Sequence, residues 1–400
     1  MHVRHLSLLN FRNYEHLELD LDARVTVVYG DNAQGKSNLL EAFFYLATTR
    51  SFRARSDRDL LGWRVPNDPF GFTRIAARLE RSGEPLEIEI VLREEPRAAE
   101  DGASSAALVK RIRLNDVPRR AIDVIGVVTA VMFSPEDLEL VAGSPAARRR
   151  YLDVMISQID RAYCRSLAQY NRVVLQRNHL LRAVRDHGAQ LDQMRFWDEQ
   201  LVGTGAYVIT RRLETISLLG AAARRFYTEL GGGEQLDIGY RSSVHRAGFA
   251  ADSGEAPSCE MVARAFQERL TEMRPREILL GMSLLGPHRD DLTFQIGGRD
   301  LGVFGSRGQQ RSAALALKLA EAEHLHAQTG ERPILLLDDV LSELDPSRRE
   351  RVLAAVRSEQ QVLLTTTDPT VFPGALLGEA AWLHVKQGRV EPRVLASTRG

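Results

Sequence analysis

The feature that most constrains this chain is the octapeptide Gly30-Asp31-Asn32-Ala33-Gln34-Gly35-Lys36-Ser37, which fits the pattern GxxxxGK[ST]. It follows a β-branched run over residues 25–29 and precedes a helical pattern that begins at Lys36, which is the context that such a phosphate-binding loop requires. Glycines let backbone N–H groups curl around a β-phosphate, and the helix N-terminus adds positive potential. We therefore predict a nucleotide site in which Lys36 bridges the β- and γ-phosphates and Ser37 ligates Mg²⁺.

The metal also needs an acidic ligand from a second part of the chain. The apolar run 334–337 supplies one, because it ends in Asp338 and Asp339. An apolar central strand delivers these carboxylates at its C-terminal edge, where α/β proteins bind ligands. Asp338 is expected to hold Mg²⁺, directly or through water, and Asp339 to polarise the attacking water. The alternative is a buried strand whose aspartates cap the next helix. With Lys36, the two aspartates form the predicted catalytic set.

The two elements of this site lie about 300 residues apart, so the chain must leave the nucleotide-binding core and return. Residues 3–21 predict two strands around a turn at 12–13, and residues 94–107 are polar and predict a mobile hairpin tip. Helical periodicity dominates from residue 145, with one apolar stripe from Leu152 to Val174 and further helices over about 191–229 and 259–274. We predict an α/β domain formed by 1–133 and 275–400, interrupted by a helical arm over 134–274.

Composition bounds the class of protein. Lys and Arg total 53, as do Asp and Glu, so the formal net charge is zero. This balance argues against a uniformly basic protein that coats nucleic acid and against an acidic disordered tail. The two cysteines, Cys164 and Cys259, lack CxxC spacing, which favours a reducing compartment. The longest apolar runs are too short to cross a bilayer. These features predict a soluble, cytoplasmic protein.

A further phosphate-binding element is predicted at Ser306, Gly308 and Gln309, just before a helical run over 312–326. An ordinary helix cap is the alternative. In ATPases whose nucleotide-binding domains dimerise on ATP, the phosphate-binding loop (P-loop) of one subunit and such a Ser-Gly loop of the other enclose the same γ-phosphate. Residues 342–345 fit a contact loop across such a dimer. Thr366 and Thr367 occupy the place of a γ-phosphate switch, although a simple turn is equally consistent with them.

Basic residues are concentrated in residues 146–186, where nine arginines and three aspartates give a net charge of +6. On a helical wheel, Arg161, Arg165 and Arg172 fall opposite the apolar stripe. Contact with DNA phosphates, independent of sequence and sensitive to salt, is the functional interpretation. A charged, solvated face is the alternative, and the sequence leaves the two open.

The motifs together resemble the RecF family of SMC-like, ABC-type ATPases. The resemblance rests on the P-loop, on the Ser-Arg-Gly-Gln-Gln signature at 306–310 and on the Asp-Asp-Val-Leu-Ser-Glu-Leu-Asp block at 338–345. Shorter supporting stretches run through the chain: Leu9-Asn10-Phe11-Arg12-Asn13-Tyr14, residues 133–138, 143–150, Gln176-Arg177-Asn178 and Gly286-Pro287-His288-Arg289-Asp290-Asp291.

This resemblance implies an ABC-type P-loop ATPase head with a helical arm, and ATP and Mg²⁺ as ligands. It also implies a weak, DNA-stimulated ATPase that forms a homodimer on ATP and binds double-stranded DNA near single-stranded gaps. Acting with RecR and RecO, such a protein helps to load RecA in gap repair and in SOS induction. Asp339 departs from the wider pattern, which has Glu there, and the shorter carboxylate fits slow hydrolysis.

Two other classes of protein fit the motifs less well. A chromosome-organising ATPase of the SMC class needs long, sustained heptads and a hinge, and two helices of about 40 residues reach only ~60 Å. A transporter's nucleotide-binding subunit needs a coupling surface for a membrane partner. The arginine-rich arm argues against such a transporter subunit.

Overall fold

The computed structural model describes residues 1–63, 65, 71–97, 105–187, 192–231, 233–245, 257–357, 359–369, 372 and 379–393. Its strands are β1 (His2–Phe11), β2 (Tyr14–Asp20), β3 (Val25–Tyr29), β4 (Phe72–Arg81), β5 (Glu84–Arg97), β6 (Ser105–Leu114), β7 (Val117–Arg119), β8 (Ala130–Phe133), β9 (Leu236–Arg241), β10 (Asp291–Ile296), β11 (Arg299–Asp300), β12 (Ile334–Asp338), β13 (Val362–Thr366), β14 (Ala381–Lys386) and β15 (Arg389–Arg393). Its helices are α1 (Lys36–Thr48), α2 (Ala121–Val124), α3 (Leu138–Ala142), α4 (Pro145–Ile159), α5 (Arg161–His187), α6 (Asp192–Glu229), α7 (Cys259–Leu280), α8 (Leu301–Phe304), α9 (Arg307–Thr329) and α10 (Pro346–Arg357).

The chain divides into two compact units. Unit 1 comprises Met1–Pro135 and Glu321–Gly400, and unit 2 comprises Glu136–Ala320. The predicted domain boundaries lie at 133/134 and 274/275. The second predicted boundary differs more from the observed division of the chain than the first does. Residues 275–320 group with the arm because α7 continues to Leu280 and because β10 pairs along its length with β9.

Unit 1 holds two six-stranded sheets. One has the order β2-β1-β4-β5-β6-β7 and is antiparallel throughout, whereas the other has the order β15-β14-β3-β13-β12-β8. In the second sheet the five strands from β14 to β8 are parallel, and β15 alone runs antiparallel to its neighbour. These parallel strands are almost wholly apolar and buried, as expected for a sheet covered on both faces.

Helix α1 lies between the two sheets of unit 1. It contacts β12, β13 and β8 of the parallel sheet and β4 and β5 of the antiparallel sheet. Its apolar residues therefore surround the helix rather than forming one stripe, and the side chains from Leu39 to Thr48 are buried. Because α1 packs against both sheets, the loop that precedes it is held in place at the carboxyl edge of the parallel sheet.

Unit 2 is built around α5, α6 and α7, with a core that includes Tyr170, Leu201, Ile209, Phe266 and Leu270. A three-stranded sheet of order β11-β10-β9 lies beside α6. The prediction of a helical arm thus omits a small sheet. Its strand β9 is short and mostly half-buried, so its sequence has no strong two-residue alternation.

Two further expectations about local structure are wrong in part. The apolar stripe predicted as continuous from Leu152 to Val174 spans two helices, because Asp160 takes an extended backbone (φ −129°, ψ 100°) between α4 and α5. The polar tip predicted over 94–107 is narrower, since β5 continues to Arg97 and β6 begins at Ser105. Residues 98–104 lie outside the described residues. No helix in the described ranges is long and apolar enough to cross a membrane.

Candidate nucleotide site

The loop of residues 30–37, here called the P-loop, follows β3 and leads into α1, as predicted. Gly30 and Gly35 have positive φ angles of 151° and 119°. A Cβ at Gly30 would lie 2.3 Å from the Val385 carbonyl oxygen, and one at Gly35 would lie 2.6 Å from Asn13 Nδ2. Both glycines are thus required by the backbone angle and by the close approach of neighbouring groups.

Hydrogen bonds from two other chain segments hold the middle of the P-loop. The Gln34 carbonyl oxygen accepts from Asn13 Nδ2 at 2.9 Å and from the Gly388 N–H at 3.0 Å. Tyr14 donates its hydroxyl to the Gly35 carbonyl oxygen at 2.9 Å. The N–H of Gln387 donates to Gln34 Oε1 at 2.8 Å. The loop is therefore preorganised by the β1–β2 turn and by the β14–β15 hairpin.

Lys36 is buried, and its ammonium folds back over the loop. Nζ donates to the carbonyl oxygens of Gly30 at 2.7 Å and Asp31 at 2.8 Å. Burial lowers the pKa of Lys36, and the negative charges of Asp339, Asp338 and Asp31 oppose that shift. The ammonium is thus placed at the loop's centre, where it can bind an anionic phosphate.

Ser37 and Asp338 are brought together although they are about 300 residues apart. Ser37 Oγ donates to Asp338 Oδ1 at 2.8 Å, and Thr365 Oγ1 donates to the same oxygen at 2.7 Å. The contact follows from the sheet order, because α1 contacts β12, which carries Asp338, and β13 pairs with β12 with Thr365 opposite Asp338. A hydroxyl and a carboxylate oxygen side by side fit the oxygen ligands that Mg²⁺ prefers.

Asp339 is positioned by its backbone. It has a left-handed conformation (φ 51°), its N–H donates to Thr365 Oγ1 at 2.8 Å, and its carbonyl oxygen accepts from Ser342 Oγ at 2.7 Å. Its carboxylate oxygen Oδ1 is buried without a hydrogen-bond partner in the described part of the chain. Such an orphaned acceptor beside a hydroxyl–carboxylate pair fits a group that binds and orients a water molecule.

Thr365 is a site residue that no sequence pattern singles out. The sequence predicts a role for Thr366 and Thr367 and none for Thr365. Thr366 Oγ1 donates to the Asp368 carbonyl oxygen at 3.0 Å and accepts from the Asp368 N–H at 3.1 Å, and Thr367 is exposed. Their role as a γ-phosphate switch stays a prediction. Only the pairing of β12 with β13 singles out Thr365.

A buried ionic cluster stabilises α1 behind the P-loop, and no pattern in the sequence predicts it. Glu41 is fully buried and accepts from Arg12 Nη2 at 2.8 Å, from Arg53 Nη2 at 3.1 Å and from the Ser51 hydroxyl. Burial by itself would raise the pKa of Glu41, but hydrogen bonds from Arg12 and Ser51 and the two arginine charges hold it below its usual value.

The predicted signature residues lie in unit 2, at the N-terminus of α9. Ser306 Oγ accepts from the Gln309 N–H at 3.2 Å, and Gln309 Oε1 accepts from the Ser306 N–H at 2.9 Å. This is a reciprocal capping box. Gln310 Nε2 also donates to the carbonyl oxygens of Leu301 and Gly302, which ties α8 to α9. Ser306 is exposed and Gly308 is half-buried, so the cap is open to a ligand.

The predicted DNA-contacting residues Arg161, Arg165 and Arg172 are all exposed on α5, and none makes an ion pair within the described residues. The charge of +6 counted over 146–186 overstates the free positive charge. Arg148 forms a bidentate pair with Asp291, at 2.7 and 2.9 Å. Arg177 is fully buried and contacts two carboxylates. The exposed stripe is among the parts of this charge that remain available to phosphates.

Comparison with known proteins identifies the family of this chain. The family model described as RecF/RecN/SMC N terminal domain matches residues 2–387. The protein named DNA replication and repair protein RecF from Herpetosiphon aurantiacus is 45% identical over 98% of this chain and 100% of its own length. The protein of that name from Chloroflexus aurantiacus is also 45% identical, over 98% and 99% of the two chains.

Among solved structures, the recombination mediator protein RecF with ATP, from the RecFOR pathway, has a TM-score of 0.85 and 31% identity and covers 99% of this chain and 98% of its own. The Smc head domain from Pyrococcus furiosus has a TM-score of 0.53 at 14% identity, with 99% and 96% coverage, and shows the fold alone. The fold is that of an ABC-type P-loop ATPase head with a helical insertion. At this identity and coverage, the chain belongs to the RecF family.

Proposed function

We propose that this chain is an ATP-dependent, DNA-binding recombination mediator that works as a switch rather than as a motor. The observation that carries the proposal is the joined set of Lys36, Ser37, Asp338, Asp339 and Thr365 at the carboxyl edge of the parallel sheet. The set combines a phosphate-binding ammonium, a hydroxyl–carboxylate pair suited to Mg²⁺ and a carboxylate free to orient water.

In this proposal the P-loop N–H groups and Lys36 bind the β- and γ-phosphates of ATP. Ser37 and Asp338 would hold Mg²⁺, which when bound neutralises charge on the phosphate oxygens. Asp339 orients the attacking water through its unpartnered Oδ1. An aspartate side chain is one methylene shorter than a glutamate, so the carboxylate reaches less far and hydrolysis is slow. The chain is therefore proposed to be a weak, DNA-stimulated ATPase.

The nucleotide is proposed to act by pairing two copies of the chain. Ser306, Gly308 and Gln309 of one copy would cap the γ-phosphate held by the P-loop of the other. The exposed start of α9 supports this assignment, because the dipole at the N-terminus of a helix favours an anion. ATP-driven pairing would also bring two arginine stripes onto one duplex.

Arg161, Arg165 and Arg172 are proposed to contact phosphates of double-stranded DNA near a single-stranded gap. The relatives' names place them in DNA replication and repair and in the RecFOR pathway. By that relationship we propose that this chain acts in the cytoplasm with RecR and RecO to load RecA in gap repair, and so contributes to SOS induction. A chromosome-organising role of the SMC kind is less supported, since the 38 residues of α6 reach only about 57 Å.

The nucleotide-dependent part is tested with Lys36→Ala by sedimentation velocity with and without ATP and Mg²⁺. The parent chain is expected to dimerise only with ATP, and the variant to stay monomeric while keeping its circular dichroism spectrum. Lys386→Ala, which removes an exposed lysine of the same unit, is the matched control. Dimerisation of the Lys36 variant with ATP at the parent's concentration would refute the mechanism.

The DNA-binding part is tested with the triple variant Arg161→Gln, Arg165→Gln and Arg172→Gln on duplex, gapped and single-stranded probes. Loss of three phosphate contacts is expected to reduce the slope of log K against log salt by up to about 2.7. Arg195→Gln is the control, because that arginine is exposed on α6 but already paired with Glu199 at 3.1 Å. An unchanged slope in the triple variant would exclude the stripe from the DNA site.

A further inference from the structure

The C-terminal end of α7 presents an exposed apolar surface that the proposed nucleotide and DNA sites do not use. Leu279 is 71% exposed, Leu280 44% and Met282 41%. We call these three side chains the α7 patch. Gly281 ends the helix in a left-handed conformation (φ 64°), and the Met282 N–H donates to the Glu277 carbonyl oxygen at 3.2 Å. The turn that carries the patch is therefore a fixed helix cap rather than a frayed end.

Buried polar groups anchor this turn to α5. Arg177, fully buried, donates to Glu277 Oε2 at 2.6 Å and to Ser283 Oγ at 2.8 Å. Glu277 Oε1 accepts from the Leu284 N–H at 2.8 Å, and Asn178 Oδ1 accepts from the Ser283 N–H at 2.6 Å. Burying an Arg–Glu pair costs desolvation energy, and here that pair fixes the backbone of residues 281–284.

The following segment anchors the same turn from the other side. Arg289 Nη2 donates to the Ser283 carbonyl oxygen at 3.0 Å, and His288 Nε2 lies 3.2 Å from that oxygen. Nucleotide binding does not explain the stretches Gln176-Arg177-Asn178 and Gly286–Asp291. Both stretches contribute side chains that contact this one short turn. The result is a rigid base under three exposed apolar side chains, which is the arrangement of a preorganised binding surface.

The rim of the α7 patch is basic. Arg289 Nη2 lies 3.4 Å from Met282 Sδ, and Arg276 precedes Leu279 and Leu280 by three and four residues on the helix surface. A Cβ at Gly281 would lie 2.7 Å from Arg182 Cγ, so Arg182 borders the turn. Arg182 and Arg276 are exposed, and neither has a carboxylate within ion-pair distance among the residues that the structure describes. Arg182 also acts electrostatically on Asp186, which pairs with Arg185 at 2.7 Å.

From this arrangement we propose that the α7 patch binds a partner protein through a segment that carries carboxylates beside apolar side chains. Apolar anchors at the centre and arginines at the edge match such a segment in both shape and charge. A second copy of the chain is disfavoured, because a two-fold contact of the patch with itself would set arginines against arginines. Duplex DNA is disfavoured because it offers no surface to the leucines and the methionine.

The test uses two synthetic helical peptides of 15 residues, with Leu at i, i+3, i+4 and i+7 and with either Glu or Lys at the outer positions. Binding to the full chain is measured by fluorescence anisotropy without nucleotide. We expect the Glu peptide to bind at least tenfold more tightly than the Lys peptide. The double variant Leu279→Ser, Met282→Ser is expected to weaken Glu-peptide binding about tenfold or more, the loss typical of apolar anchors.

Two further variants separate the contributions to binding. Arg182→Gln with Arg276→Gln is expected to weaken binding of the Glu peptide and to flatten its salt dependence. Leu218→Ser is the control, because Leu218 is 55% exposed on α6 and lies 20 residues, about 30 Å, from Asp198, which pairs with Arg177. The control is expected to bind the Glu peptide like the parent chain.

The proposal is overturned if the parent chain does not distinguish the two peptides, or if the Leu218 control loses as much binding as the patch variant. It is also overturned if the patch variant binds the Glu peptide normally but loses duplex DNA binding or ATP-dependent dimerisation, since DNA or a second copy would then be the occupant. Because the peptides are tested without nucleotide, failure here leaves the proposed ATP switch standing, and failure of Lys36→Ala leaves the patch standing.

Discussion

Thr365 offers the sharpest test of how the site is assembled. Its hydroxyl donates to Asp338 Oδ1 at 2.7 Å and accepts from the Asp339 N–H at 2.8 Å, and the residue is 3% exposed. Thr365→Val keeps the side-chain shape and removes both bonds. An Asp339 N–H left without a partner costs about 1 kcal/mol or more, and the lost bond to the Asp338 carboxylate about 1.5 kcal/mol. The free energy of unfolding of unit 1 is therefore expected to fall by about 2 to 3 kcal/mol.

The chain allows this unfolding to be followed for unit 1 alone. Its three tryptophans are Trp63, Trp197 and Trp382, and only Trp197 lies in unit 2. In a Trp197→Phe background, fluorescence during a urea titration reports on unit 1, where Trp382 is buried. Comparing the extrapolated free energies of the parent and the valine variant gives the cost of losing the hydroxyl.

Hydrolysis and ATP affinity are expected to respond differently to Thr365→Val. The substitution frees the backbone of Asp339, so the ATP hydrolysis rate should fall about tenfold, whereas Lys36 and the P-loop N–H groups keep their places and ATP affinity should change little. Thr365→Ser retains the hydroxyl and is expected to retain hydrolysis. Should the valine variant unfold within about 0.5 kcal/mol of the parent and hydrolyse ATP at the parent's rate, the hydroxyl bridge does not assemble this site.

Two more predictions concern His288 and Gly388. Burial lowers the pKa of His288 to about 4, below the unfolded value of about 6.5. The stability that depends on the neutral imidazole is therefore fully present above pH 6.5, and about 3 kcal/mol of it is lost as the pH falls toward 4. His288→Asn should flatten unfolding free energy against pH in that window; an unchanged slope contradicts the assignment. A Cβ at Gly388 would lie 2.2 Å from the Asn13 carbonyl oxygen, so Gly388→Ala should lower unfolding free energy by about 1 to 3 kcal/mol and weaken ATP binding measured by calorimetry. Gly83→Ala, at a similar φ of 82° with open space around it, should leave ATP binding unchanged, and equal losses in the two variants would refute the contact with Asn13 as the cause.

Much of the fold was predictable because local patterns decide it. The turn at residues 12–13, the strand before Gly30, the helix from Lys36 and the strand that ends at Asp338 all appear where the sequence places them. Each depends on spacing within about ten residues, which periodicity records directly. The break at Asp160 and the sheet beside α6 were missed, because one needs a single backbone angle and the other needs partners far along the chain.

Charge shows the same division between sequence and structure. Nine arginines in 146–186 look alike in sequence, yet Arg177 is fully buried against two carboxylates whereas Arg161 faces solvent. Their helix positions differ by 16 residues, and the carboxylates that neutralise Arg177 come from α6 and α7. No local pattern reports such pairing, so the net charge of a segment overstated the charge available for DNA.

The sequence by itself determined the residue types at the nucleotide site and the elements that carry them, since a P-loop and an acidic strand end are local and specific patterns. The tertiary structure alone decided that Thr365 joins Asp338 to Asp339 and that Glu41 stabilises α1 behind the loop. It also decided that buried polar groups of α5 anchor the turn that carries the exposed α7 patch. The physical reason is that these contacts join groups from separate strands and helices, and only the pairing and packing of those elements bring them within hydrogen-bond distance.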